Sequence, residues 1–186
     1  MEDPFRPAEL CFGARGRFFA RAAANDSPET IKILKAAYYH KGTAVCEILQ
    51  NCMIFNNGIH AGITDKEVRA DRTIHLVHGQ KMLFGKNNEK GLVADGFQLK
   101  AVTVGEDGYT LDDVLVHDAH SPLNFLHQQL AMMDGSELPM AMGVIRDVDS
   151  PVYDQEVSRQ VEEVKARKGF TTLRSMLLAG DTWTVK

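Results

Sequence analysis

Residues 27–58 constrain the fold most, because a helix there runs into an apolar strand with almost no chain between them. Ser27-Pro28-Glu29 predicts the helix start, with Ser27 as N-cap, proline where a missing N–H costs nothing, and an acid in the first turn. Ile31, Leu34 and Tyr38 follow at helical spacing and read as the buried face, with Lys32 and Lys35 turned outward. His40-Lys41-Gly42 ends the helix, with cations near its negative terminus and Gly42 at the expected C′ position. Thr43 to Gln50 is short and rich in apolar and β-branched residues, as strands are, and Asn56-Asn57-Gly58 is turn chemistry. The order points to an α/β fold with a mainly parallel sheet flanked by helices.

Side chains alternate along a strand, so Ala44, Cys46 and Ile48 share one face while Val45, Glu47 and Leu49 share the other. Cys46 reads as a small core residue. Glu47, an acid among apolar neighbours, needs a partner or a raised pKa. Cys52 falls just past the carboxyl end of the strand, the edge at which open α/β sheets gather ligands.

The remaining chain punctuates itself. Pro7 opens a short helix through Leu10 or Phe12. Gly13-Ala14-Arg15-Gly16 reads as a turn, since no Lys-Ser or Lys-Thr pair makes it a phosphate loop, and Arg17 to Arg21 follows as a short strand. From 58 to 105 the helical pattern disappears. Thr73–His78 and Lys81–Phe84 about Gly79-Gln80 predict a hairpin, Gly85–Gly91 a polar loop and Phe97–Val104 a further strand, together a small antiparallel insertion near 58–105. Thr110–Asp113 fits a capping box, but Val114-Leu115-Val116 favours a core strand with His117-Asp118 at its carboxyl end. Ser121-Pro122 repeats the helix start, with Leu123, Leu126, Leu130 and Met133 as the buried stripe as far as Asp134-Gly135. Met140–Val144 is a strand. Tyr153, Val157, Val161 and Val164 mark an amphipathic helix closed by Lys168-Gly169, and a last short helix runs from about Thr171 to Leu178. With no repeat or low-complexity linker in 186 residues, 1–186 reads as a single domain.

Composition excludes several classes. Apolar residues at 44% and charged residues at 25% are ordinary for a soluble globular protein, and a net charge of −4 gives no electrostatic footprint for nucleic acid. No apolar run approaches the roughly 18 residues of a membrane span, and the acidic start Met1-Glu2-Asp3-Pro4 is unlike a basic signal peptide. Three cysteines without paired spacing argue against a disulfide framework, so a cytoplasmic protein is expected.

Candidate chemistry is sparse. His75 and His78, three apart in an expected strand, point to opposite faces and cannot share a metal. His117 and His120 sit at a strand-to-helix junction that reads as a polar loop, although Asp118 could orient an imidazole there. No Gly-x-Ser-x-Gly elbow, His-Glu-x-x-His pair or Walker loop is present, and Cys52 has no identified base to make it a nucleophile. The residues by themselves therefore name no catalytic group.

Several segments, in order, resemble the β subunit of 2-oxoacid:ferredoxin oxidoreductases. These are Glu2 to Leu10, Phe18-Phe19-Ala20-Arg21, His40-Lys41-Gly42-Thr43, Glu47 to Cys52 with Phe55-Asn56, Leu115 to Asp118, Gly143 to Arg146, and Gly180-Asp181-Thr182-Trp183. The resemblance implies the thiamine diphosphate-binding fold. It also implies oxidative decarboxylation of a 2-oxoacid, with the 2-oxoglutarate branch nearest, to an acyl-CoA. Its partners would be the α subunit, ferredoxin, coenzyme A and the 2-oxoacid; its cofactors would be thiamine diphosphate, magnesium and a 4Fe-4S cluster. Cys52 matches the family's lone downstream cluster ligand. The family's Gly-Asp-Gly stretch with its following Asn, which holds magnesium and the diphosphate, is absent, as are the upstream cysteines. We therefore expect the carboxyl-terminal half of such a subunit with Met1 as a new start, inactive alone and without catalytic or cofactor-binding residues beyond Cys52. A non-catalytic module that docks on a partner through 58–105 is the competing expectation.

Overall fold

The computed structural model describes residues 5–168, 172–181 and 183–185. These divide into two compact units, 1–150 and 151–186. Met1, Glu2, Asp3, Pro4, Gly169, Thr171 and Thr182, which figure in the expectations above, lie outside the described residues.

The first unit is built on a four-stranded sheet in the order β2-β1-β7-β3, from β1 (Phe18–Ala23), β2 (Ala44–Leu49), β3 (Thr73–Leu76) and β7 (Met140–Asp147). β1 pairs with β2 in parallel and β3 with β7 in parallel, while β1 and β7 meet antiparallel with a register shift at Phe19/Ala20. The sheet is thus mainly parallel, as expected. A separate antiparallel sheet, β4-β5-β6, comprises Leu83–Phe84, Lys90–Asp95 and Gln98–Thr103.

β1 is buried along its whole length, and its alternation divides the core. Phe18, Ala20 and Ala22 pack with Ile33, Ala36 and Ala37 of helix α2 (Ser27–Tyr39) and with Ala44 and Cys46 of β2. Phe19 joins the opposite layer, with Ile74, Leu92, Leu130 and Ile145, and Val45 packs there too. That layer also holds residues of α1 (Pro7–Gly13) and α5 (Phe125–Met132). The expected alternation of β2 therefore holds, and Cys46 is a core residue as read. Cover on both faces belongs mostly to β1, because β2 is the edge strand and only half-buried.

Several local readings change. α2 begins at Ser27 but its N-cap is Asp26, whose carboxylate accepts from Glu29 N. The buried face of α2 is centred on Ile33; Ile31, Leu34 and Tyr38 are exposed, since the apolar side facing the sheet is offset from the heavier apolar stripe. Thr73–His78 does not form a hairpin with Lys81–Phe84: β3 joins the main sheet and β4 the small one, each finding a longer partner than a two-residue turn would supply. Helices α3 (Ala61–Thr64) and α4 (Arg69–Arg72) also occupy ground that read as non-helical, and β5 takes up the end of the expected polar loop.

After β6, Thr110 and Asp113 form the capping box on a 3₁₀ turn, Leu111–Asp113. Val114–Val116 forms no named strand, although Leu115 donates to the Leu92 carbonyl and accepts from Met82. Ser121-Pro122 starts no helix; α5 begins after Asn124, leaves Leu123 exposed and buries His127, Leu130 and Ala131. Gly143 has φ +90°, and a Cβ there would stand 2.7 Å from the Leu76 carbonyl oxygen, so only glycine lets β3 and β7 approach this closely. In the second unit, α6 (Tyr153–Lys168) and α7 (Leu173–Leu177) form where periodicity placed them; Arg159 of α6 pairs with Glu156 and Glu163.

Candidate functional site

The carboxyl end of β2 runs directly into the Cys52 turn. Backbone pairing continues one step, with Ala24 N donating to the Leu49 carbonyl, and the chain then folds back so that Asn56 N donates to Cys52 O at 3.0 Å. Asn51 clasps the turn: its Nδ2 donates to Asn57 Oδ1 at 2.9 Å and its Oδ1 accepts from Gly58 N at 2.7 Å. Gly58 takes φ +79°, which lets the turn close. Inside it the backbone N–H of Phe55, then those of Ile54 and Asn56, hydrogen-bond the Cys52 sulfur and hold its thiol below the usual range. Such donors favour the charged form of the sulfur over the neutral thiol. Met53, Ile54 and Phe55 stand 80%, 88% and 89% exposed beside it.

Burial does the opposite to the other two cysteines. Cys11 of α1 packs into the core and Cys46 packs against α2, and desolvation pushes both thiols up. Among the described residues no three His, Cys, Asp or Glu side chains are grouped as a metal site. With three cysteines in all, the chain has fewer thiols than the four ligands of a 4Fe-4S cluster. The Gly-Asp-Gly stretch with its following Asn, to which the resemblance assigns magnesium and the diphosphate, does not occur in the sequence.

Glu47 has found its partner. It accepts from Arg21 Nε at 2.6 Å across the β1–β2 register, and the Arg21 guanidinium also donates to the carbonyls of Ala131 and Ala141. The pair ties the end of α5 to the sheet, a structural role. The expected His117–Asp118 orientation does not occur: Asp118 lies 3.5 Å from His78 and accepts from His120 N, while His117 is buried and donates through Nε2 to the Val144 carbonyl at 2.9 Å. His75 lies 3.9 Å from Glu29, apart from His78, whose ring lies tilted against that of His120. His120 bonds the Asp147 carbonyl.

Sequence reasoning missed two residues beside His117. His127 accepts from Arg146 at 2.7 Å through Nδ1 and donates from Nε2 to the Asp118 carbonyl, also at 2.7 Å. Arg146, buried in turn, donates to the carbonyls of Ser121 and Pro122. Desolvation lowers the pKa of both His117 and His127, so each is neutral and serves the loop 117–124. The available signals were an arginine within an apolar strand and a histidine on the buried stripe of α5.

No family model matches the chain. It is similar along its full length, at 34% identity over 188 residues, to the 2-oxoglutarate oxidoreductase subunit KorB of Mycobacterium tuberculosis (strain ATCC 25618 / H37Rv), of which it spans about half, 50%. Its fold is similar to a chain of the 2-oxoglutarate:ferredoxin oxidoreductase from Magnetococcus marinus, solved with 2-oxoglutarate, coenzyme A and succinyl-CoA bound. That match has a TM-score of 0.59 at 18% identity and covers 97% of this chain and 46% of the other.

Proposed function

We propose that the chain, similar over its whole length to that 2-oxoglutarate oxidoreductase subunit, serves as the carboxyl-terminal portion of a β subunit in a 2-oxoglutarate:ferredoxin oxidoreductase. Its partners are the α subunit and ferredoxin, and the complex converts a 2-oxoacid and coenzyme A to an acyl-CoA. The reading is supported by the Cys52 turn, where backbone donors stabilise a thiolate at the carboxyl edge of the sheet. Cys52 supplies one of four ligands to a 4Fe-4S cluster, and N–H groups aimed at its sulfur stabilise added negative charge there, a recognised lever on cluster potential.

When bound, thiamine diphosphate supplies the nucleophilic carbon for decarboxylation and the cluster accepts single electrons. This chain contributes no residue to the diphosphate, so no step through it is assigned to these side chains. The chain alone is inactive, and the exposed Met53-Ile54-Phe55 tip is covered in the complex. The direct test is chemical analysis of the complex assembled with its α subunit and the family's upstream half. Cys52→Ala loses iron and acid-labile sulfide; unchanged cluster content would overturn the ligand assignment, and 2-oxoglutarate decarboxylation by the isolated chain with thiamine diphosphate and magnesium would overturn the requirement for the remainder.

A further inference from the structure

Helix α2 is apolar on two sides. Inward, Ile33 is fully buried with Ala36 and Ala37 beside it. Outward, Ile31, Leu34 and Tyr38 line up at i, i+3 and i+7, exposed by 54%, 46% and 82%, and Tyr39 meets Tyr38 edge-on at 5.3 Å. A helix apolar on nearly all sides is normally enclosed between two layers, and α2 has one. Adjacent exposed aromatics with an aliphatic stripe are the composition of a protein contact surface.

The charge on that face has one sign. Lys32 and Lys35 flank the stripe, while Glu29, the only acid of the helix, is largely buried at its foot, 3.6 Å from Lys32 and 3.9 Å from His75. A second copy of α2 would set the same lysines against each other, whereas an acid-flanked helix would match them. We propose that the outer face of α2 docks an amphipathic helix of a partner subunit whose apolar stripe is bordered by Asp and Glu. The identity of that partner as the α subunit rests on the functional reading above; the chemistry of the groove does not.

The 186-residue chain is titrated with a fluorescent synthetic peptide of leucine-lined heptads bordered by glutamate, and with a control bordered by lysine. The glutamate peptide binds, weakens as salt is raised, and loses at least about tenfold in affinity with Leu34→Ser or with Lys32→Glu/Lys35→Glu. Leu34 faces solvent, so a thermal melt confirms that Leu34→Ser stays folded. Equal binding of both peptides, or indifference to Leu34→Ser, overturns the proposal, as does a dimer of the chain in sedimentation that Leu34→Ser dissolves. Capture of the α subunit then separates the two readings. Loss with Leu34→Ser supports the docking face; equal capture by wild type and variant overturns it while leaving complex membership intact; capture by neither overturns the complex membership and the named partner together.

Discussion

The Cys52 turn and the His117–His127–Arg146 cluster lie at opposite ends of the strands of one sheet and treat their chemistry in opposite ways. Cys52 follows the carboxyl end of β2, while Arg146 sits toward the carboxyl end of β7, beside the start of β1. In the cluster each imidazole donates from Nε2 to a carbonyl, His127 spends its Nδ1 on Arg146, and His117 Nδ1 is enclosed without a partner. Desolvation there disfavours the charged imidazoles. In the turn, backbone donors favour the charged form of a sulfur that remains accessible. Polar residues at a strand end therefore do not mark a ligand site by position alone. What distinguishes one is that the surroundings stabilise the reactive form and leave a way in.

The largest break in this contrast comes from Arg146. Arg146→Ala strands the carbonyls of Ser121 and Pro122 and the Nδ1 of His127 in a buried space. We expect a loss of about 3 kcal/mol in urea unfolding, and a loss below about 1 kcal/mol would mean that the cluster holds nothing together. Glu47→Ala follows at about 2 kcal/mol, because it leaves the Arg21 guanidinium, buried and 2.6 Å away, without its carboxylate. Replacing both, Arg21→Met with Glu47→Leu, recovers most of that loss if the pair is purely structural.

Acid sharpens the same comparison more gently. His117 and His127 have folded pKa values below the ordinary 6.5, so below 6.5 the unfolded chain binds more protons than the folded one. Their contribution is complete above about pH 6.5 and is lost as the pH falls through that value toward the lower folded pKa values. Urea midpoints measured from about pH 7.5 down to about pH 5 should fall, and His127→Gln should flatten the slope. A chain that gained stability on acidification would have charged imidazoles in its core, contrary to the hydrogen bonds drawn above.

Much of the architecture was legible in residues 27–58. A capped helix, a stop and an apolar strand place α2 and β2 within a residue or two, and the alternation of Ala44, Val45 and Cys46 gives both core layers correctly. The orientation of α2 was not, because Ile31, Leu34 and Tyr38 outweigh Ile33, Ala36 and Ala37 in hydrophobicity, and periodicity cannot tell a core face from an exposed one. Pairing of β3 with β7 was illegible for a different reason: Ile74 lies 67 positions before its partner Ala141, and no local signal spans such a distance. Position put Cys52 at the right edge, but only the folded turn aims Phe55, Ile54 and Asn56 at its sulfur.

The smallest perturbation is the most discriminating one for the turn. Cys52→Ser removes a sulfur that contributes to no core cluster, so the urea midpoint should not move. The same sulfur should dominate reactivity. With iodoacetamide near neutral pH, peptide mass spectrometry should find Cys52 labelled well before Cys11 and Cys46, since alkylation goes through the thiolate and burial raises the other two thiols. Asn51→Ala should slow that labelling without abolishing it, because it removes the clasp on Asn57 and Gly58 while the thiol stays accessible. If Cys11 or Cys46 reacted first, the backbone donors around Cys52 would be holding no thiolate, and the difference between the two ends of the sheet would reduce to exposure alone.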